Sequence, residues 1–113
     1  MIPTKKSFWL SYDLGLKGDY KGLYTFLDSV EAKECGDSVA FFKKDYTDNF
    51  LEELKNDLKN AMNLSATDRI YVIHSDISTK NVREGKGKFL FGGRKRSPWE
   101  GYAVKDSTLE EDN

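Results

Sequence analysis

Phe8-Trp9-Leu10-Ser11-Tyr12-Asp13 is the stretch on which the fold turns. Aromatic and strand-favouring residues fill it and a glycine-containing loop ends it, so it reads as a well-buried first strand. Gly15 and Gly18 bracket that loop, and Asp19 stands where a helix N-cap belongs. From Tyr20 to Ala32, the residues Leu23, Phe26, Leu27 and Val30 recur at three- and four-residue steps. That spacing makes one helix face apolar, and the face must pack on something. Gly22 weakens the first turn without forbidding it.

The next segments supply the rest of a sheet and a second helix. Val39-Ala40-Phe41-Phe42 is a strand, Gly36-Asp37 a hairpin turn, and a short strand near Glu34-Cys35 completes the hairpin. Asn49 and Glu52 stand at capping-box spacing. Phe50, Leu51, Leu54, Leu58, Ala61 and Met62 then form an apolar helical stripe, opposite a charged, solvated face. Asn63 to Asp68 leads out to Arg69-Ile70-Tyr71-Val72-Ile73-His74, a nearly all-apolar strand that reads as central or covered on both faces. Strand, helix, strand pair, helix, strand predicts an α+β ferredoxin-like βαββαβ sandwich over residues 1–76, with two helices on one face of an antiparallel sheet.

Beyond Asp76 the composition changes. Ser78 to Lys88 is polar and shows neither period, which predicts a loop; Lys88 to Phe91 predicts a short strand. Ser97 to Tyr102 reads as a turn carrying two large aromatics. Residues 77–105 thus form a basic, aromatic-rich extension expected to pack on the domain or on a dimer mate, and residues 106–113 an acidic tail expected to be disordered.

The 113 residues suit one domain, and seven Phe, six Tyr and two Trp supply ample apolar area for its core. No apolar run approaches the roughly 20 residues of a membrane span. The first residues lack the apolar stretch and cleavage site of a secretory signal. Cys35 is the only cysteine, so no internal disulfide forms; together these features predict a cytoplasmic setting. The net charge of −1 is unevenly spread: residues 77–104 carry 7 basic and 2 acidic side chains, whereas residues 1–76 carry 10 basic and 13 acidic. Local asymmetry of this kind attracts polyanions where the total charge does not.

Several of these residues resemble a known group. Ser11-Tyr12-Asp13-Leu14 closes the first strand, Tyr20 and Leu23-Tyr24 mark the first helix, Ser38 precedes the third strand, and Asp68-Arg69-Ile70-Tyr71-Val72-Ile73 makes the last. The pattern, over about residues 6–74, resembles the SinR-like branch of the superfamily that holds the small subunit of the CRISPR spacer-integration complex and the VapD-like ribonucleases. The resemblance implies a ferredoxin-like fold and a homodimer. It also implies, from the CRISPR proteins, that an Asp at the position of Asp13 serves metal-dependent nuclease activity. The SinR-like branch itself has no firmly established activity to carry over, and a shared fold does not prove shared chemistry.

Asp13 is the one catalytic and metal-binding candidate. A single carboxylate holds Mg²⁺ or another divalent cation poorly, but a dimer axis nearby would pair two, with Tyr12 and Ser11 assisting through hydrogen bonds. The bland alternative is that Asp13 accepts hydrogen bonds from amides of the Leu14–Gly18 loop. His74, the sole histidine, has no partner at ligand spacing and reads as a strand-end histidine satisfied by hydrogen bonds. Lys86, Lys88, Arg94, Lys95, Arg96 and Trp99, interleaved with Phe89 and Phe91, suit nucleic acid, since cations neutralise phosphates and aromatics stack on unpaired bases. Gly85, Gly87, Gly92 and Gly93 would let backbone amides approach a phosphate. The bland alternative makes Phe89, Phe91 and Trp99 anchors that pin the extension to the sheet or a dimer mate. Three readings follow: a nucleic-acid-associated dimeric module, a metal-dependent endonuclease centred on Asp13, and a non-catalytic adaptor that adds a strand to a partner's sheet.

Overall fold

The computed structural model describes residues 2–77 and 81–103. Seven elements follow in order: β1 (Thr4–Asp13), α1 (Tyr20–Ser29), β2 (Lys33–Glu34), β3 (Val39–Tyr46), α2 (Phe50–Ala61), β4 (Arg69–Ile77) and β5 (Arg83–Phe91). The strands make one five-stranded sheet in the order β2-β3-β1-β4-β5, with every neighbouring pair antiparallel. In strand count and order this differs from a plain βαββαβ sandwich, because β5 extends the sheet beyond β4.

Side-chain alternation along β1 sets the two faces. Phe8 and Leu10 are fully buried, whereas Trp9, between them, is 40% exposed. The register places Phe8 beside Phe42 and His74, and Leu10 beside Ala40 and Val72. Leu23, Phe26 and Leu27 of α1 and Leu54 and Leu58 of α2 join these residues in a single apolar cluster. Both amphipathic stripes therefore cover the same side of the sheet, as the order of the elements predicts. No helix among the described residues is long and apolar enough to cross a membrane.

The helices meet end to end over Asp19. Its Oδ1 accepts the Gly22 amide at 2.9 Å, capping α1, and its Oδ2 accepts the Asn63 amide at 2.7 Å, just beyond α2. These two amides hold the Asp19 carboxyl below its ordinary range, the Asn63 bond contributing most. Gly22 makes the approach possible, because a Cβ there would lie 2.6 Å from the Ala61 carbonyl and 2.8 Å from the Met62 Cα. Gly22→Ala therefore loses about 1–3 kcal/mol to overpacking, more than the helix-propensity gain of about 1 kcal/mol returns. Urea unfolding of the variant checks this; an equal or higher midpoint would show that the helix ends part easily.

Three expectations need correction. The capping box does not form: Asn49 makes no side-chain cap, and Glu53 instead accepts from both the amide and the hydroxyl of Thr47. Asn49 sits at φ −88°, ψ 39°, outside the extended region from which a side chain reaches back over the first turn. Tyr46 and Lys44 fix α2 to β3 by donating to Asp57 Oδ2, each at 2.5 Å. Burial, reinforced by that bond, drives the Tyr46 hydroxyl far above its ordinary range.

The second correction concerns Ser78 to Lys88. Arg83 onward belongs to β5, a nine-residue strand, and the short strand foreseen at Lys88 to Phe91 is only its end. An edge strand needs backbone pairing on one side only, so Gly85, Lys86 and Gly87 serve without an apolar pattern. The Tyr71 ring lies over Gly87 so closely that a Cβ would fall 2.0 Å from its hydroxyl. The register shifts between Ile70 and Tyr71, which pair with Phe91 and Phe89. Leu90 bulges there, letting Leu90 and Phe91 both pack toward the core.

The third concerns β4, which is interior to the sheet, between β1 and β5, as one of its two readings had it, but is not covered on both faces. Ile70, Val72 and His74 face the core, but Ile73 is 44% exposed, so only one face of the strand is covered. The hairpin turn lies where expected, with its first strand at Lys33–Glu34. The tail at 106–113 lies outside the described residues.

Candidate nucleic-acid interface

The sheet face away from the helices is built from the odd-numbered positions of β1, β3 and β4. One row across it runs Phe41, Trp9, Ile73, and the next runs Val39, Ser11, Tyr71, Phe89. Trp9 packs on Phe41 with ring centroids 4.8 Å apart, and Tyr71 meets Phe89 edge to face at 4.8 Å.

Asp13 ends β1 on this face, directly opposite Arg69. Arg69 Nη2 and Nε donate to Asp13 Oδ2 at 2.6 and 3.1 Å, and Nη1 reaches the Gly93 carbonyl at 3.5 Å. The partner of Asp13 is thus a guanidinium rather than the loop amides. That hydrogen bond, with smaller help from the positive charges of Arg69 and Lys95, holds the Asp13 carboxyl below its ordinary 3.8. Tyr12 does not assist Asp13: it points to the helix side, where its ring lies 6.1 Å from Tyr24 and its hydroxyl is pushed up to about 12, chiefly by burial. Among the described residues no group of three or more His, Cys, Asp or Glu gathers to hold a metal. His74 is buried on the core side against the Phe50 ring at 5.0 Å, across the sheet from Ser11 and Asp13.

A carboxyl whose pKa falls on folding contributes stability above its unfolded value, and loses that contribution as pH drops through the folded value. The Asp13 side chain is 56% exposed, so solvent screening keeps the pair below about 1 kcal/mol. Asp13→Asn should therefore lower stability by less than about 1 kcal/mol at neutral pH and flatten the acid limb below pH 3.8, measured by urea midpoints across pH. A steeper acid limb in the variant would contradict the pairing.

Two hollows adjoin this pair. One of about 340 Å³ is lined by Ser11, Asp13, Arg69, Tyr71, Phe89 and Arg94. The other, about 380 Å³, shares Arg69, Phe89 and Arg94 and adds Lys95, Arg96 and Trp99. Four of the six residues foreseen for nucleic acid thus converge with Arg69 on one face. Lys86 and Lys88 do not join them. They pair with His74 and Val72, so the two-residue period turns them to the helix-bearing face.

Phe89 and Phe91 act as anchors, Phe91 on the helix side with the Lys55 ammonium 5.7 Å from its ring centre. Trp99 does not: it is 69% exposed. Of the four glycines, Gly87 is filled by Tyr71, and a Cβ on Gly92 would meet the Asp68 carbonyl at 2.7 Å; only Gly85 and Gly93 border open space. Arg69, Tyr71 and the Trp9 row escaped the sequence reading, because β1 and β4 carry apolar side chains on both faces and the register that sets Arg69 opposite Asp13 is not a local pattern.

The chain matches no family model, no curated protein and no solved structure. A functional reading therefore has to be argued from the chemistry of its surface.

Proposed function

We propose that this chain is a nucleic-acid-binding module whose ligand contacts the face formed by Arg94, Lys95, Arg96 and Trp99 beside the Asp13–Arg69 pair. The observation that carries the reading is the gathering of four cations, Arg69 included, around one hollow with Phe89 and the exposed ring of Trp99. Cations of this kind replace the counterions of phosphates, and an exposed indole offers a stacking surface. A ferredoxin-like core extended by β5, kinship with the SinR-like branch, a homodimeric state and a cytoplasmic setting belong to the same proposal. The α+β sheet with both helices on one side supports the first of these.

Nuclease chemistry at Asp13 is the weaker reading. A divalent cation there would meet the Arg69 guanidinium, whose nitrogen already stands 2.6 Å from the carboxylate oxygen. A strand-adding adaptor draws support from the long edge strand β5, but charged edge residues such as Lys86 and Lys88 discourage such pairing.

Fluorescence polarisation with a labelled oligonucleotide tests the proposal. Affinity should be measurable at low salt and fall steeply as salt rises. Absence of binding at low salt would remove the reading. Metal-dependent cleavage abolished in a folded Asp13→Asn would replace it with the nuclease.

A further inference from the structure

We infer that the ligand is single-stranded, with its bases on the Trp9 row and its phosphates held by cations on either side of that row. The inference rests on the binding reading above and goes further by naming the strand state and a second set of contacts.

Phe41, Trp9 and Ile73 stand side by side on three adjacent strands, and Trp9 and Ile73 keep 40% and 44% of their surface in water. No described element covers them. An exposed indole in a contiguous apolar row marks a binding surface rather than a core residue. Cations flank the row. On one side, beyond the Ser11–Tyr71–Phe89 row, lie Arg94, Lys95 and Arg96; on the other, a hollow of about 310 Å³ is lined by Lys5, Lys33 and Lys43 and walled by Phe41. Four acidic groups stand near these flanks: Glu31 lines the second hollow, Asp45 pairs across from Lys5, Asp13 is engaged by Arg69, and Glu100 lies 3.3 Å from Arg96.

An apolar strip between two cationic flanks fits a chain whose rings and phosphates are both open to contact. A duplex hides its base faces in the stack and leaves Trp9 nothing to cover, whereas every unpaired base has a free face. Strands about 4.8 Å apart and rows about 7 Å apart give a platform for roughly two or three bases. A second copy docked face to face would bring two cationic sets together, so the charge favours a polyanion.

The test compares a labelled single strand of about a dozen nucleotides with its duplex at low salt. Trp9→Ala should weaken single-strand binding about tenfold and duplex binding less than about twofold, with Trp9→Phe restoring most of the loss. Should Trp9→Ala fail to fold, Trp9 emission in a Trp99→Phe background gives the same answer, by quenching on addition of the single strand. Neutralising Lys33 and Lys43 should weaken the single strand as well, by about three- to tenfold.

Unchanged single-strand affinity in Trp9→Ala, with binding still lost on neutralising Arg94, Lys95 and Arg96, would overturn this inference alone. Tighter binding of the duplex would do the same, as would a dimer in which Trp9 is shielded from acrylamide. Failure of both nucleic acids to bind at low salt would overturn the parent reading with it.

Discussion

Replacing Arg94, Lys95 and Arg96 together with glutamine lowers affinity for a single-stranded oligonucleotide about a hundredfold near 50 mM salt. It also reduces the slope of log affinity against log salt by about two, because each neutralised phosphate contributes roughly 0.7 on a single strand. The fold should not register the change. All three side chains are exposed, and the ion pair of Arg96, with Glu100 at 3.3 Å, joins two well-exposed groups. Stability therefore stays within about 0.5 kcal/mol of the parent. Arg69 is left out of the triple because removing it would strand Asp13 as well as remove a cation. Neutralising Lys86 and Lys88 provides the control, since the register of β5 turns them to the other side of the sheet. Polarisation titrations at four or five salt concentrations decide the matter. Lost affinity with an unchanged slope would mean that the three residues act through shape rather than phosphate contact.

The contrast between those two sets of cations shows what the sequence could and could not carry. The apolar stripes of both helices and the cap at Asp19 are local patterns, readable because a 3.6-residue period needs no partner to be seen. β5 has no such signature. Arg83-Glu84-Gly85-Lys86-Gly87-Lys88 pairs with β4 through its backbone, and its side chains were free to be polar at an edge. Once the segment is known to be a strand, the separation of Lys86 and Lys88 from Phe89 follows from the two-residue period alone.

The site shows the same division. Arg94, Lys95, Arg96 and Trp99 lie close in sequence, so their cluster was visible. The pairing of Asp13 with Arg69 spans 56 residues and depends on the β1–β4 register, which no local pattern reports. Trp9, Tyr71 and Ile73 misled for a different reason. Both faces of β1 and β4 carry apolar side chains, so hydrophobicity alone read as burial on both sides, although only one face has helices over it.

That division between faces makes the largest stability prediction specific to one residue. Phe8→Ala should cost about 3–5 kcal/mol, the range for a large aromatic removed from a closed core. Phe8 is fully buried on the central strand, with the rings of Phe42, Tyr46 and Phe50 at 5.4, 5.8 and 6.0 Å. The β1 backbone is bonded to β3 and β4 on either side at this position, so the sheet cannot close over the vacated space without breaking its own ladder. Against a total stability of about 5–15 kcal/mol, such a loss takes a large part of the margin. It would lower the melting temperature by more than about 10 °C. Trp9→Ala, one residue along on the open face, should cost far less stability while carrying the loss of single-strand affinity. Urea and thermal unfolding of the two variants, set beside their oligonucleotide affinities, separate the roles. A Trp9→Ala variant as unstable as Phe8→Ala would mean that the open face is covered and that Trp9 belongs to a second core.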